Sequence, residues 1–145
     1  MKILIIHGPH LSLLGNVSSL NKSKLTLDKV NRQLKRKAND NGIELKIFQH
    51  FDQKAILKSV LTNRKDVDGM ILNLGGMGRG FFTLQEMLAI IDKPIIEVML
   101  SEFPYSKENY AESAIKDVAT KRIKKKGLKA YEDALDFLIK NHKMD

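Results

Sequence analysis

Residues 69–88, GMILNLGGMGRGFFTLQEML, contain a strand pattern, a glycine-rich turn and a helix pattern in direct succession. The apolar run 69–74 is typical of a strand that is buried on both faces of a sheet. The glycines that follow favour a turn, because glycine adopts backbone conformations that other residues avoid. Thr83, with Glu86 three residues later, has the capping pattern that predicts a helix start at Thr83. The stretch therefore predicts one strand-turn-helix unit.

The same alternation extends along the chain and predicts an α/β protein with a parallel sheet. Further strands are predicted at 2–7, 43–49 and 94–98, and a short helical segment running into an exposed edge strand is predicted within 112–126. Thr26 and Asp52 are the expected N-caps of two helices, and Gly127 precedes the last helix. The residues expected to face inward from these three helices are Leu27, Val30, Leu34 and Ala38; Ile56, Leu57, Val60 and Leu61; and Leu128, Tyr131, Leu135 and Leu138.

Composition limits the class of protein. The 145 residues are 43% hydrophobic, which favours a single domain, 1–145, with a proper core. The chain has no cysteine and no apolar run of membrane-spanning length, so we expect a soluble, untargeted, cytoplasmic protein without disulfides. The net charge is +8, with many of the basic residues within 121–126. No aromatic residue interrupts that run, so it favours a solvated edge strand, and a nucleic-acid partner is not expected.

The carboxyl ends of the predicted strands locate the candidate site, because ligands of open parallel sheets bind there. These ends carry residues 7–10, 74–79 and 99–102. The glycine turn lacks the Gly-Lys-Ser/Thr ending of a phosphate loop, so no nucleotide cofactor is expected. His7, His10 and His50 lack an evident fourth ligand, so no metal is expected either. Glu97 interrupts an apolar strand and needs a buried partner, in either a structural or a functional role.

Four segments carry a family resemblance. KILIIHGPHLSLLG at 2–15 is similar to a strand leading into N-G-P-N-L-N-L-L-G, and 69–88 is similar to I-I-L-N-x-G-G-x-T-H-T-S-x-A-L-R-D-A. KPIIEVMLSEF at 93–103 resembles P-x-I-E-V-H-I-S-N, and 130–138 resembles G-Y-x-x-A-L-x-x-L. These are motifs of the type II 3-dehydroquinate dehydratases, in the family's order and spacing. The resemblance implies a flavodoxin-like three-layer sandwich with five parallel strands in the order 2-1-3-4-5. It also implies a small anionic substrate and a homo-oligomer, either a trimer or a dodecamer of four trimers.

The resemblance further implies which side chains have been replaced. The family abstracts a proton beside the ketone of 3-dehydroquinate and then protonates the departing hydroxyl group. The family's base lies on a lid and is assisted by an arginine, and these positions correspond to Lys22 and Val17. The first-loop Asn corresponds to His10, the general acid His to Met99 and the substrate-binding His to Arg79. Two further arginines correspond to Ser106 and Tyr110. Lys22, His10 and Arg79 are therefore the catalytic candidates. A methionine side chain cannot serve as a proton donor.

The retained positions predict the floor of a binding pocket. The substrate-binding candidates are Asn73, Gly75, Gly76, Glu86, Leu100, Ser101 and Tyr110, with Glu97 as a structural or orienting residue. Leu100 and Ser101 are expected to offer main-chain N–H groups to a carboxylate. The polar segment 16–24 is expected to be a poorly ordered lid.

Three functions remain open at this point. The chain is a family member that binds a related hydroxy acid with dehydration weak or lost, or an authentic dehydratase with substituted groups, or a non-catalytic assembly or regulatory protein. A lysine exposed on a lid is protonated at neutral pH, which weighs against Lys22 as an efficient base.

Overall fold

The computed structural model describes residues 1–20 and 24–143, and in these ranges five parallel strands form one sheet in the order β2-β1-β3-β4-β5. The strands are β1 Lys2–His7, β2 Glu44–Gln49, β3 Gly69–Asn73, β4 Ile95–Leu100 and β5 Lys121–Lys125. β1 pairs with β2 from Lys2 to His7 and with β3 from Ile3 to His7. The predicted parallel sheet and its strand order are confirmed.

Helices cover both faces of the sheet. Along β1, Ile3 and Ile5 belong to one buried cluster, whereas Leu4 and Ile6 belong to the other, as the alternation of side chains in a strand requires. The helices are α1 Leu14–Leu20, α2 Leu27–Asp40, α3 Gln53–Asn63, α4 Phe82–Ile91, α5 Ser106–Ala111 and α6 Leu128–Lys143. Residues of α1, α2 and α6 pack on the first face, and residues of α3 and α4 pack on the second.

Two helices begin where the sequence predicts. The Thr26 hydroxyl accepts the Lys29 N–H at 3.3 Å at the start of α2, and the Asp52 carboxylate accepts the Ala55 N–H at 2.8 Å at the start of α3. Each side chain satisfies one of the free N–H groups of the first turn. The prediction that Leu61 faces inward is wrong, because its side chain is 47% exposed. Leu61 follows the buried Val60 directly, and one residue turns a helix by about 100°, which carries the next side chain off the core face.

The predicted start of α4 is also wrong. Thr83 is the second residue of the helix, and Phe81 occupies the N-cap position, where no side chain of the described residues caps the helix. Gly80 has a positive φ of 70°, and its carbonyl oxygen accepts the Phe82 N–H at 2.8 Å. The helix can start two residues earlier than predicted because Gly80 tolerates this conformation and the Phe81 ring is buried as an anchor.

The expected lid is helical over its first half. Residues 16–20 lie in α1, where Ser18 is buried and its hydroxyl donates to the Leu25 carbonyl oxygen. The polar composition of this segment did not signal that hydrogen bond, and poor ordering of the segment without ligand stays a prediction. Residues 21–23, which include Lys22, lie outside the described residues.

β5 is the exposed edge strand that the sequence predicts. Only Ile123 of this strand is buried, and Lys125 forms an ion pair with Asp133 on α6. The short helix expected within 112–126 lies earlier, as α5, and turns follow it at 112 and 114–118. None of the helices in the described ranges has the length and apolar character that crossing a membrane requires.

Candidate active site

A pocket of about 700 Å³ opens at the carboxyl ends of β1, β3 and β4, where ligands bind in folds of this class. Its polar lining consists of His10, Asn16, Asn73, Arg79 and Asn109. The end of β4 and the segment that follows it contribute a mainly apolar wall of Met99, Leu100, Phe103, Pro104 and Tyr105. The pocket therefore combines a few polar groups with a large apolar surface, as small-molecule sites usually do.

Two glycines fix the backbone at the carboxyl ends of β1 and β3, where the pocket opens. Gly75 has a positive φ of 58° and opens the tight turn Gly75–Gly78 after β3. Gly8 follows β1 and donates its N–H to the Asn73 carbonyl oxygen at 2.7 Å. A Cβ at Gly8 would lie only 2.8 Å from the Leu74 carbonyl oxygen. Glycine is therefore required where the ends of β1 and β3 approach each other.

Arg79 brings a positive charge to the pocket. It follows the glycine turn, and its main chain forms an antiparallel bridge with Ser113. Its Nη1 lies 3.4 Å from Oε2 of Glu112, in a pair whose side chains are 40% and 65% exposed. An ion pair this exposed is weak. The guanidinium can therefore exchange Glu112 for a ligand carboxylate, which it can hold in two places.

A buried chain of hydrogen bonds runs beneath the pocket. Asn73 Nδ2 donates to the Tyr131 hydroxyl at 2.9 Å, and that hydroxyl lies 2.8 Å from His7 Nδ1. His7 Nε2 lies 2.9 Å from Oδ1 of Asn31 on α2. His7 and Tyr131 are fully buried, and Asn73 is 2% exposed. The chain links a residue of the pocket lining to helices α2 and α6.

Burial keeps His7 and Tyr131, the two titratable groups of this hydrogen-bond chain, neutral. Burial lowers the pKa of His7 to about 4, although the hydrogen bond to Asn31 acts in the opposite direction. Burial also raises the pKa of Tyr131 well above its ordinary value, against the smaller effect of the Asn73 amide. At neutral pH the hydrogen-bond chain therefore consists only of neutral donors and acceptors.

Glu97 has the buried partners that its position on β4 requires. Its carboxylate accepts Arg122 Nε at 2.6 Å and also the Ser113 hydroxyl. Arg122 donates from Nη2 to the Tyr110 carbonyl oxygen, and its guanidinium lies 3.9 Å from the centre of the Tyr110 ring. Glu97 thus ties β4 and β5 to the segment that bridges to Arg79.

The structure brings most of the predicted site residues together. The predicted residues that line the pocket are His10, Asn73, Gly75, Gly76, Arg79 and Leu100. Glu86 is exposed on α4, Tyr110 lies beneath Arg122, and Glu97 is buried away from the lining. Lys22 lies outside the described residues.

The main-chain groups of Ser101 depart from the expectation. The Ser101 N–H donates to the Lys125 carbonyl oxygen at 3.0 Å, so it is not free to bind a carboxylate. The Ser101 carbonyl oxygen accepts the Ser106 hydroxyl at 3.1 Å. Pairing with β5 therefore extends past the end of β4 and uses a group that the sequence assigned to the ligand.

The three histidines do not gather. His7 is bonded to Asn31 and Tyr131, whereas the His50 ring stacks on Phe48 with centroids 5.7 Å apart. Within residues 1–20 and 24–143, no group of three or more His, Cys, Asp or Glu side chains is arranged to hold a metal ion.

Sequence reasoning missed several residues at or near the site. Asn31 carries no prediction, Arg122 is expected only as part of the solvated basic run, and Tyr131 is expected only to pack. The available signals were a histidine ending an apolar strand and a tyrosine on an apolar helix stripe, since buried polar groups need partners. Tyr105, which lines the pocket, has a positive φ of 62° that its residue type did not signal.

The family model for Dehydroquinase class II matches residues 1–139. A 3-dehydroquinate dehydratase of Roseiflexus castenholzii is 35% identical over 96% of this chain and 88% of the relative. One from Halothermothrix orenii is 30% identical over 95% of this chain and 93% of the relative.

Solved structures match the fold at lower sequence identity. The type II dehydroquinase of Butyrivibrio crossotus superposes with a TM-score of 0.83 at 24% identity, over 95% of this chain and 97% of that one. A 3-dehydroquinate dehydratase-like protein from Bifidobacterium longum superposes with a TM-score of 0.73 at 20% identity, over 100% of this chain and 98% of that one. The match of the family model along almost the whole sequence, with relatives at 30% identity or more, shows that the chain belongs to the class II dehydroquinase family.

Proposed function

We propose that the pocket binds a small hydroxycarboxylic acid related to 3-dehydroquinate, and that dehydration of 3-dehydroquinate by this chain is weak or lost. The observation that carries the proposal is Met99, which lines the pocket where the family resemblance implies the general acid His. A thioether has no proton to donate to a departing hydroxyl group.

Charge and hydrogen bonding at the pocket support binding of an acid. Arg79 supplies a guanidinium with an exposed, exchangeable partner, and bidentate binding of a carboxylate by arginine is strong and directional. His10 and Asn73 lie in the same lining and can hydrogen-bond to hydroxyl groups. Gly75 and Gly76 keep the floor open for the ring of such a ligand.

The remaining proton-carrying side chains define how turnover could persist. Among the described lining residues, the titratable side chains are His10, Arg79 and Tyr105. His10 is the candidate acid in place of Met99, and Lys22 is the candidate base. Since a positioned acid or base contributes about 10² to 10⁴ in rate, replacing both should reduce turnover by at least about a thousandfold.

A second function, authentic 3-dehydroquinate dehydratase activity, is favoured by the relatives. Two proteins named 3-dehydroquinate dehydratase align with 95% or more of this chain at 30% identity or more. In that case His10 and Lys22 carry the proton transfers with Arg79 stabilising the enolate.

Turnover of 3-dehydroquinate distinguishes the two functions. The assay follows the absorbance of the conjugated product for the wild type, Met99→His and the matched control Met99→Leu. We expect wild-type turnover at least about a thousandfold below that of an intact family member, with Met99→His at least tenfold faster than Met99→Leu. Wild-type turnover close to that of an intact member would contradict the first function and support the second. His10→Ala and Lys22→Ala would then identify the acid and the base.

Ligand binding is tested separately from turnover. A ligand that binds only the folded state at 100 times its Kd adds about 2.7 kcal/mol to the free energy of unfolding. Quinate, 3-dehydroquinate or shikimate should therefore raise the melting temperature of the wild type but not of Arg79→Leu. Absence of a shift with all three acids would count against the proposal.

We also propose that the chain assembles as a homo-oligomer, either a trimer or a dodecamer. Neighbouring helices α3 and α4 expose apolar side chains at Leu61 (47%), Phe82 (62%) and Ile90 (82%), and exposed apolar patches mark contact surfaces. Glu86 lies exposed on the same helix as Phe82 and Ile90. Light scattering at micromolar concentration should give at least three times the monomer mass, and a monomer would refute the assembly.

A further inference from the structure

We propose that His7 is a positioning residue whose buried ring transmits the direction of hydrogen bonding from Asn31 through Tyr131 to Asn73. In this direction Asn73 keeps its carbonyl oxygen, not its amide nitrogen, available to the pocket. The consequence for ligand binding rests on the function proposed above, whereas the direction of these hydrogen bonds does not. His7 stands where the family motif quoted earlier has Asn.

The direction follows from the contacts, one atom at a time. Asn31 places its carbonyl oxygen 2.9 Å from His7 Nε2, and an amide oxygen only accepts, so Nε2 carries the ring proton. The ring is neutral, which leaves Nδ1 as an acceptor for the Tyr131 hydroxyl at 2.8 Å. A hydroxyl has one proton, so once Tyr131 donates to His7 it must accept from its other neighbour. That neighbour is Asn73 Nδ2, at 2.9 Å.

The orientation of the Asn73 amide determines which of its atoms faces the pocket. With Nδ2 directed to Tyr131, the planar amide of Asn73 presents Oδ1 at its other side. Among the described residues, no side chain or main-chain group donates a hydrogen bond to that oxygen, and Asn73 lines the pocket. A ligand group placed against Oδ1 must therefore be a hydrogen-bond donor. The carboxylate of the same ligand is directed to Arg79 instead.

The opposite direction would satisfy the same four residues equally well. If Asn31 turned its amide, His7 would donate from Nδ1, Tyr131 would donate to Asn73, and the Asn73 nitrogen would be left for the ligand. The direction of the hydrogen bonds is therefore decided by the amide of Asn31, which is half-buried on α2. Asn31 lies at the end of the hydrogen-bond chain that is remote from the pocket. His7 and Tyr131, the two residues between Asn31 and Asn73, are fully buried. Water therefore cannot insert between them, and all the hydrogen bonds must run in one direction.

Substitutions at Asn31 test the proposal without touching the pocket. Asn31→Asp retains an acceptor and cannot turn round, whereas Asn31→Leu removes it. Nitrogen NMR at pH 8 reads the tautomer of His7 and the side-chain amide of Asn73. We expect the wild type and Asn31→Asp to carry the ring proton on Nε2 with one Asn73 amide signal. Asn31→Leu should populate both tautomers and shift, split or broaden that signal. Tyr131→Phe, which breaks the chain at its middle, should also shift the Asn73 signal.

Binding of quinate supplies the second measurement. Loss of one correctly directed hydrogen bond should weaken binding about 5- to 30-fold in Asn31→Leu, and Asn31→Asp should stay within about twofold of the wild type. A proton on Nδ1 in the wild type overturns the proposal, and so do unchanged His7 and Asn73 signals in Asn31→Leu. If the wild type does not bind quinate, the ligand assignment fails, but the ring tautomer and the Asn73 signal still decide the role of His7.

Discussion

Removing the Arg122 guanidinium should destabilise the fold far more than removing any neighbouring charge of β5. Glu97 is 1% exposed and receives one hydrogen bond from Arg122 Nε and one from the Ser113 hydroxyl. Arg122→Met keeps the length of the side chain but leaves the Glu97 carboxylate without its cation. Breaking a buried ion pair from one side costs about 3 to 5 kcal/mol. Because the Arg122 side chain is 23% exposed, water can partly replace it, and we expect a loss near the lower value, about 3 kcal/mol.

The assay is equilibrium unfolding in urea, with Lys124→Met as the matched control. Lys124 lies two residues along the same strand and is exposed, so its loss should change the free energy of unfolding by less than about 1 kcal/mol. Glu97→Leu combined with Arg122→Met should cost less than the sum of the single variants, since the double variant buries no unpaired charge. A loss below about 1 kcal/mol in Arg122→Met, or strict additivity of the pair, would refute the reasoning.

Two further predictions follow from contacts described above. The pKa of His7 is lowered to about 4 from an ordinary 6.5, so the unfolded chain binds more protons between these values. The free energy of unfolding should therefore fall by up to roughly 3 kcal/mol as the pH drops from about 6.5 to 4. Urea midpoints across this range should show the slope in the wild type and in His142→Asn, whose histidine is exposed, but a smaller slope in His7→Asn. Thr26→Ala should lower the free energy of unfolding by about 1 kcal/mol through loss of an N-cap, while Thr83→Ala, inside α4, should change it by less than about 0.5 kcal/mol in thermal melts.

Local patterns predicted the sheet well because they report burial directly. The apolar runs of β1, β3 and β4 are buried on both faces, and the spacing of Val30 and Leu34 on α2 places both in the core. The helix start at Thr83 failed because the capping pattern competes with what precedes it. Gly80 and Phe81 turn the chain into the helix before the threonine is reached. A short motif cannot report that competition.

The site was predicted unevenly for a related reason. Asn73 ends β3, and Gly75 and Arg79 lie in the turn directly after it, so their common location follows from the chain itself. The partners of His7 lie 24 and 124 residues away along the sequence. Those of Glu97 lie 16 and 25 residues away. Such pairings depend on the packing of helices and of an edge strand, which local periodicity does not specify.

The position of α6 has a consequence for synthesis on the ribosome. This last helix supplies Ala130, Ala134, Leu135 and Leu138 to the core beneath one face of the sheet, and with them the Tyr131 hydroxyl that joins His7 to Asn73. A nascent chain that has emerged only as far as β5 has all its strands but leaves that face partly uncovered, with apolar surface exposed. Such intermediates are prone to aggregate. The sheet therefore has to wait for α6, and the polar floor of the pocket is completed only after α6 has followed β5 out of the ribosome.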